Sequence, residues 1–423
     1  MELEEQPSVF LIPVATRMHV PRAVEPSKLA RELLEKAGLK VYGLSKPVTK
    51  PDEIPKFPPE EYDSVVLFIA SGGASELAVK VAKDMPYFVW AYDEVNSLPS
   101  ALSVREKLKG TGQWRGELVY NSLDEAPKQV VSCAQASRLL KSVKGIKLGV
   151  IGEEDYFRER SEDARILAEL TGVEILSFPI SELVSEFAKQ SDEAASKIME
   201  HKFSASTRVE PSRKDLLKAT KMYLALKSLV DKNDLAAVTA DCFKVLKRTG
   251  TSMCVALSLL NDEGRAAVCE GDLKAVALML FFQKLAGVSW TANLAQYSED
   301  LNVVTLAHCT AATSLAEPGG TIILRSHFES DESVGLDVPL KRQPVTIANL
   351  QFKPPQMVVA EGEIAESQIG KFSLCRTQAQ VRLSGKVSRL LEYAGNHHVL
   401  AYGNWANVLA RIADKLKVSF IEV

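Results

Sequence analysis

Apolar residues in the first third of the chain come in short blocks separated by amphipathic stretches. Val9–Val14 (VFLIPV), Ser64–Ala70 (SVVLFIA) and Tyr87–Tyr92 are apolar almost without interruption. Runs of this length predict strands buried on both faces, as in a parallel sheet. Helices are predicted over Ser27–Ala37, from about Ser75 to Lys83 after the glycine turn SGGASE, and over Leu98–Leu108. Alternating strands and helices predict a helix-covered parallel sheet, extending to about Lys144.

The pattern restarts at Lys147–Gly152 (KLGVIG), with a helix expected near Glu159–Thr171, Gly172 as its C-cap and a strand at Val173–Ser177. Asp192–Lys232 reads as two helices polar on one face, Ala236–Ala240 (AAVTA) as a strand, and Cys254–Leu260 as an apolar helix ended by NDEG. After the short strand Arg265–Val268, the tetrapeptide CEGD and an apolar helix from Leu273, strands take over. They are expected at Val303–His308, Gly320–Arg325, Val345–Ala348, Met357–Glu361 and Ala379–Leu383, separated by Pro and Gly clusters. That spacing predicts a mainly antiparallel region. The chain closes with a strand at His398–Tyr402, a helix over Asn404–Leu416 and a strand at Val418–Ile421. The expected fold class is therefore α/β. Two consecutive Rossmann-like domains, 1–144 and 145–262, precede a β-rich domain with a closing helix, 263–423.

Composition narrows the function classes. The 423 residues are enough for two to four domains. They are 46% hydrophobic and 25% charged with a formal net charge of -3, which gives nucleic acid or an anionic membrane no reason to bind. No apolar run approaches the roughly 20 residues of a membrane span. The acidic start MELEEQPSVF is unlike a secretory signal. Cys133, Cys242, Cys254, Cys269, Cys309 and Cys375 contain no CxxC pair, which argues against a zinc ribbon or disulfide framework and for reduced thiols in a cytoplasm.

Candidate chemistry gathers at strand ends. Glu270 and Asp272 of CEGD have no basic neighbour until Lys274. Asp272 is a good N-cap for the following helix. The alternative is a metal site in the crevice at the ends of the strands, where a divalent cation would take carboxylate oxygens. Asp241, directly after AAVTA, poses the same choice between a cap and a third convergent acid. His308 ends an apolar strand. His397 and His398 stand in a turn before another, and His327 reads as a surface strand residue. SGGASE lacks the pattern of a phosphate loop but is friendly to anions or hydroxyls. The thiols Cys242, Cys269 and Cys309 read as small buried fillers beside these residues.

The runs CEGDLKAVALMLFFQKLAG, ANLAQYSEDLNVVTLAHCTAAT and GNHHVLAYGNW, together with SGGASE and NSLPSAL, resemble the L-fucose isomerase-like family of sugar isomerases. The resemblance implies two α/β domains and a C-terminal β-rich domain. It also implies a divalent metal, usually Mn2+, held by an acid, an aspartate and a histidine. Carried onto this chain, Asp272 and His397 match the aspartate and histidine, with His398 at the family's glycine position. Asp241 stands where the family has a glutamate that is both ligand and base. The implied activity is aldose–ketose isomerisation of a pentose or deoxyhexose through an enediol, with Asp241 and Glu270 as candidate proton carriers. His308 would act as an orienting substrate-site residue. Arg17, in VATRMHVPR, would bind a substrate hydroxyl from a neighbouring subunit of a trimer or hexamer. The shorter acid at 241 keeps open a non-catalytic sugar-binding or regulatory relative, and the ligand set keeps open a metal-dependent lyase or hydrolase.

Overall fold

The computed structural model describes residues 6–82, 87–203 and 207–423. The described residues divide into two compact units, 6–141 and 142–423.

The first unit is built on five parallel strands: β1 (Ser8–Val14), β2 (Lys40–Gly43), β3 (Ser64–Ile69), β4 (Phe88–Tyr92) and β5 (Glu117–Asn121), in the order β2-β1-β3-β4-β5. Every residue of β3 and β4 is buried, as their unbroken apolar runs require. Helices α1 (Val20–Lys36), α2 (Ser75–Val81), α3 (Ser97–Gly110) and α4 (Lys128–Val143) cover the sheet, and two separate apolar clusters fill the unit. Helix α1 starts seven residues before the expected Ser27, carrying Pro21 in its first turn and Pro26 inside it. A proline there forfeits one backbone bond without ending the helix. The expected end of α2 at Lys83 lies outside the described residues. Strands β2 and β5 were not expected, because neither KVYG nor ELVYN is apolar throughout and both lie at sheet edges.

In the second unit, β6 (Lys147–Gly152), β7 (Glu174–Pro179), β9 (Ala237–Ala240) and β10 (Ala266–Val268) form a parallel sheet in the order β10-β9-β6-β7. The helices are α5 (Glu154–Thr171), α6 (Ile180–Lys189), α7 (Asp192–Lys202), α8 (Arg213–Lys232), α9 (Cys242–Thr249), α10 (Cys254–Asp262) and α11 (Leu273–Ala286). Within the stretch expected to be two helices lies a strand, β8 (Thr207–Val209), recruited by pairing with the distant β13 (Ile322–Arg325). Next to it is β14 (Gly335–Asp337).

The remaining strands are β11 (Ser289–Ser298), β12 (Val303–His308), β15 (Pro344–Phe352), β16 (Pro355–Ser367), β17 (Thr377–Leu383), β18 (His397–Tyr402) and β19 (Ser419–Glu422). Six of them run β15-β18-β11-β12-β17-β16, and β16 pairs back onto β15, closing an antiparallel barrel that leaves no free edge among those six. The fold is thus mixed α/β with two parallel sheets and a β-rich C-terminal region. Helices α12 (Val387–Tyr393) and α13 (Ala406–Leu416) complete it. Helix α11 is apolar nearly all round and buried from Ala275 to Lys284, as a helix without a polar face must be. It packs against β9, β10 and α5 as well as barrel strands β11, β15 and β18. His327 lies in the turn after β13, half-buried with its Nδ1 on Ser330 Oγ, rather than on a surface strand.

Barrel closure leaves no room at Gly362 on β16, where an added Cβ would stand 2.3 Å from the Arg382 carbonyl oxygen. Gly362→Ala is predicted to lower stability by at least the ~1–3 kcal/mol typical of overpacking. An unchanged urea unfolding midpoint would contradict that packing.

Candidate active site

The carboxyl ends of β9 and β10 lie side by side, with Val268 opposite Thr239. Asp241 leaves β9 and the CEGD turn leaves β10. Glu270 and Gly271 both adopt left-handed backbone, with φ of 63° and 66°. For a residue with a Cβ this costs ~1–2 kcal/mol. Strain of this sort persists where the surroundings impose it, often at functional sites.

The turn delivers the Glu270 carboxylate, about a third exposed, to two barrel histidines. His308 Nε2 is 3.8 Å from Oε1 and His397 Nε2 is 3.8 Å from Oε2. The barrel register explains the convergence. Asn293 of β11 pairs with His397 on one side and with Ala307 on the other, so His397 and His308 end up at one level. Their ring centroids are 5.8 Å apart.

Asp272 is the N-cap of α11. Its Oδ1 accepts the N–H groups of Lys274 at 2.9 Å and Ala275 at 3.1 Å, while Oδ2 is 3.0 Å from His397 Nδ1. A carboxylate accepts only, so in the neutral His397 ring the proton sits on Nδ1 and Nε2 carries a lone pair. That buried Nε2 has no hydrogen-bond partner. Burial pushes the His397 pKa down, but the hydrogen bond and charge of Asp272, with the charge of Glu270, outweigh it and hold it above 6.5. Burial pushes Asp272 up, and the His397 hydrogen bond, the charges of Lys274 and His397 and the Ala275 N–H together reverse this to a net lowering below 3.8.

His308 has the opposite polarity. Its Nδ1 accepts the N–H of Cys309 at 2.9 Å, so in the neutral ring the proton is on Nε2 and faces Glu270. Burial, aided by His397, pushes its pKa down to about 4. His398 follows His397 on β18 and therefore points to the opposite face. It is fully buried, with Nδ1 on the Asn396 carbonyl, which closes it to direct contact with a substrate.

Asp241 caps α9. Its Oδ1 accepts Lys244 N–H at 3.1 Å and its Oδ2 is 3.6 Å from Lys244 Nζ. Arg17 lies in the first unit on the short 3-10 turn Arg17–His19, exposed beside an open crevice of about 380 Å³ that Lys50 and Lys80 also line. Sequence reading placed Cys242, Cys269 and Cys309 beside the site residues but did not anticipate that Cys254 and Cys375 join them. Cys242, Cys254, Cys269, Cys309 and Cys375 line one nearly closed space of about 20 Å³, scarcely more than one water. Donor atoms of Cys269, Glu270 and His308 lie within 4.8 Å of one another, a possible metal-binding triad. In that triad the Nε2 proton of His308 occupies the position a metal would need. At the Glu270–His397 pair the neutral ring leaves Nε2 open, and a proton stands in the way only below the raised His397 pKa.

Two comparisons bear on this arrangement. The profile of the L-arabinose isomerase central domain matches residues 161–287, which contain Asp241, Glu270 and Asp272. A sulfoquinovose isomerase of Clostridium sp. (strain MSTE9) is 22% identical over 343 residues, 77% of this chain and 75% of the relative. Both comparisons support a sugar isomerase. Among the described residues, no helix is long and apolar enough to cross a membrane.

The buried histidines make acid stability testable. His308 and His398 titrate at about 4 in the folded chain but near ~6.5 when unfolded. Between those values the unfolded chain binds the extra protons, so stability is predicted to fall as pH drops from 6.5 toward 4. His397, with its raised pKa, contributes stability that is already in place below ~6.5 and is lost only as pH rises through its folded value, so its effect lies above this window. His398→Gln should flatten the decline in denaturant melts of metal-free protein. A slope unaffected by the substitution would argue against a neutral buried His398.

Proposed function

We propose that the protein is a divalent-metal-dependent aldose–ketose isomerase acting on an open-chain sugar. In this reading Glu270 and His397 are the protein ligands of the cation, while Asp272 and His308 orient them. One observation carries it: the buried His397 Nε2, without a hydrogen-bond partner, 3.8 Å from a carboxylate oxygen. That gap suits two ligands each ~2 Å from a single ion. The Asp272–His397 pair is the carboxylate–histidine arrangement that sets tautomer and basicity at many metal sites. A nitrogen and oxygen donor set suits Mn2+, with Cys269 nearby as the softer element.

When bound, the cation supplies Lewis acidity toward the O1/O2 pair of the sugar and makes the C2 proton removable. The chain's own contribution is to move that proton between C2 and C1. Glu270 is the better placed carrier, since its carboxylate is partly exposed and free of the capping and lysine contacts that hold Asp241. The His308 Nε2–H faces one Glu270 oxygen and steadies it. The substrate is proposed to be a pentose, a deoxyhexose or a sulfonated hexose, the last because of the Clostridium relative. A homo-oligomer in which Arg17 binds a hydroxyl in a neighbour's site belongs to the same proposal. The hold of Lys244 on Asp241 favours, as a second reading, a sugar-binding relative without turnover.

The test is a Mn2+ titration followed by an isomerisation panel of arabinose, fucose and sulfoquinovose. Glu270→Gln should lose both binding and turnover, and Asp272→Asn should weaken Mn2+ binding by ~10–100-fold. Asp241→Asn should retain metal. Lost turnover in that variant would transfer the proton-carrying role to Asp241. Absence of Mn2+ binding by the unaltered protein would sink the reading.

The metal needs His397 neutral at Nε2, and the proton competes below its raised pKa. Mn2+ affinity is therefore predicted to rise by about tenfold per pH unit as pH approaches that pKa, which lies above 6.5, and then to level off. Affinity independent of pH from roughly 5.5 to 8 would remove His397 from the ligand set.

A further inference from the structure

We infer that Arg160, on α5, is the positioning residue that holds Glu270 in place for metal binding, acting through the backbone of the CEGD turn. The inference rests on the reading above, in which Glu270 is a ligand. Arg160 Nε donates to the Gly271 carbonyl at 3.2 Å and Nη2 donates to the Glu270 carbonyl at 3.3 Å. Successive carbonyls point to one side in helical-sense backbone and to opposite sides in extended backbone. One guanidinium can therefore take both carbonyls while Glu270 and Gly271 keep a helical-sense backbone, here left-handed at both, and loses one of them if the turn extends. Should Glu270 relax from φ 63° to an ordinary β or right-handed value, its carboxylate would swing away from His308 and His397.

The clamp is itself held rigid. The guanidinium carbon lies 3.5 Å over the centre of the Tyr156 ring, one turn earlier on α5. A Cβ built on Gly271 would stand 1.9 Å from Tyr156 Oη and 2.5 Å from Arg160 Nε, so the side chains press directly on the glycine backbone. Tyr156 Oη is buried without a hydrogen-bond partner, which marks that ring as a packing plate. Lysine cannot reproduce this contact, because a point charge on a flexible stem lacks two donors in a fixed fork.

The decisive measurement is Co2+ titration, read by affinity and by the visible spectrum that reports coordination. Arg160→Lys and Arg160→Gln should fold normally, bind Co2+ ~10–100-fold more weakly and show an altered spectrum. Glu159→Gln, which changes only the exposed partner of Arg160 Nη1 at 3.4 Å, should match the unaltered protein. Wild-type Co2+ affinity and spectrum in Arg160→Lys would overturn the inference and leave the isomerase reading standing. Failure of the unaltered protein to bind Co2+ or Mn2+ would overturn both. A weakening that merely tracks global unfolding, and that a stabilising osmolyte reverses, would also overturn the positioning role.

Discussion

The 3.0 Å contact between His397 Nδ1 and Asp272 Oδ2 joins a barrel strand to the helix that follows the edge strand of the parallel sheet. The rest of the site depends on it. Asp272 cannot swing, because its other oxygen is taken by two helix N–H groups. His397 cannot change tautomer without placing a lone pair against a carboxylate. Its remaining nitrogen therefore faces Glu270, with a lone pair whenever the ring is neutral. A single carboxylate caps a helix, bridges two layers of the fold and sets the chemistry of an imidazole.

Three buried histidines within one chain illustrate how environment separates identical side chains. His308 and His398 are pushed toward the neutral form by burial, with little to oppose it. His397 is buried as well, but two carboxylates restore its affinity for a proton. A site that favours a proton between two acids also favours another cation there, and competition between the two follows from the same electrostatics.

Local structure and function are in conflict at Glu270. Glutamate does not prefer left-handed backbone, and Gly271 beside it has no room for a side chain. The strain is offset by the arginine fork on the two carbonyls and by the β10–α11 packing around it. Such departures from local preference concentrate where a fold does chemistry.

Strong local signals were legible in the sequence alone. The buried strands of both parallel sheets, Gly172 as a C-cap, Asp241 and Asp272 as N-caps, and the change to antiparallel strands after α11 all follow from short-range pattern and backbone sterics. Helix α6 was equally legible, since Ile180, Leu183, Val184 and Phe187 keep helical spacing, yet it was not among the elements expected. Nothing local could have shown that β8 pairs with β13, that β16 closes onto β15, or that cysteines far apart in sequence share one space. The division of roles between the two acids of CEGD is of the same kind. Which carboxylate meets an imidazole lone pair depends on where β12 and β18 end, and the barrel register determines that. A cap is a contact between residues two or three apart, so sequence determines it, whereas the site joins Glu270 to His308 and His397 on separate barrel strands far along the chain, and only the tertiary structure decides it.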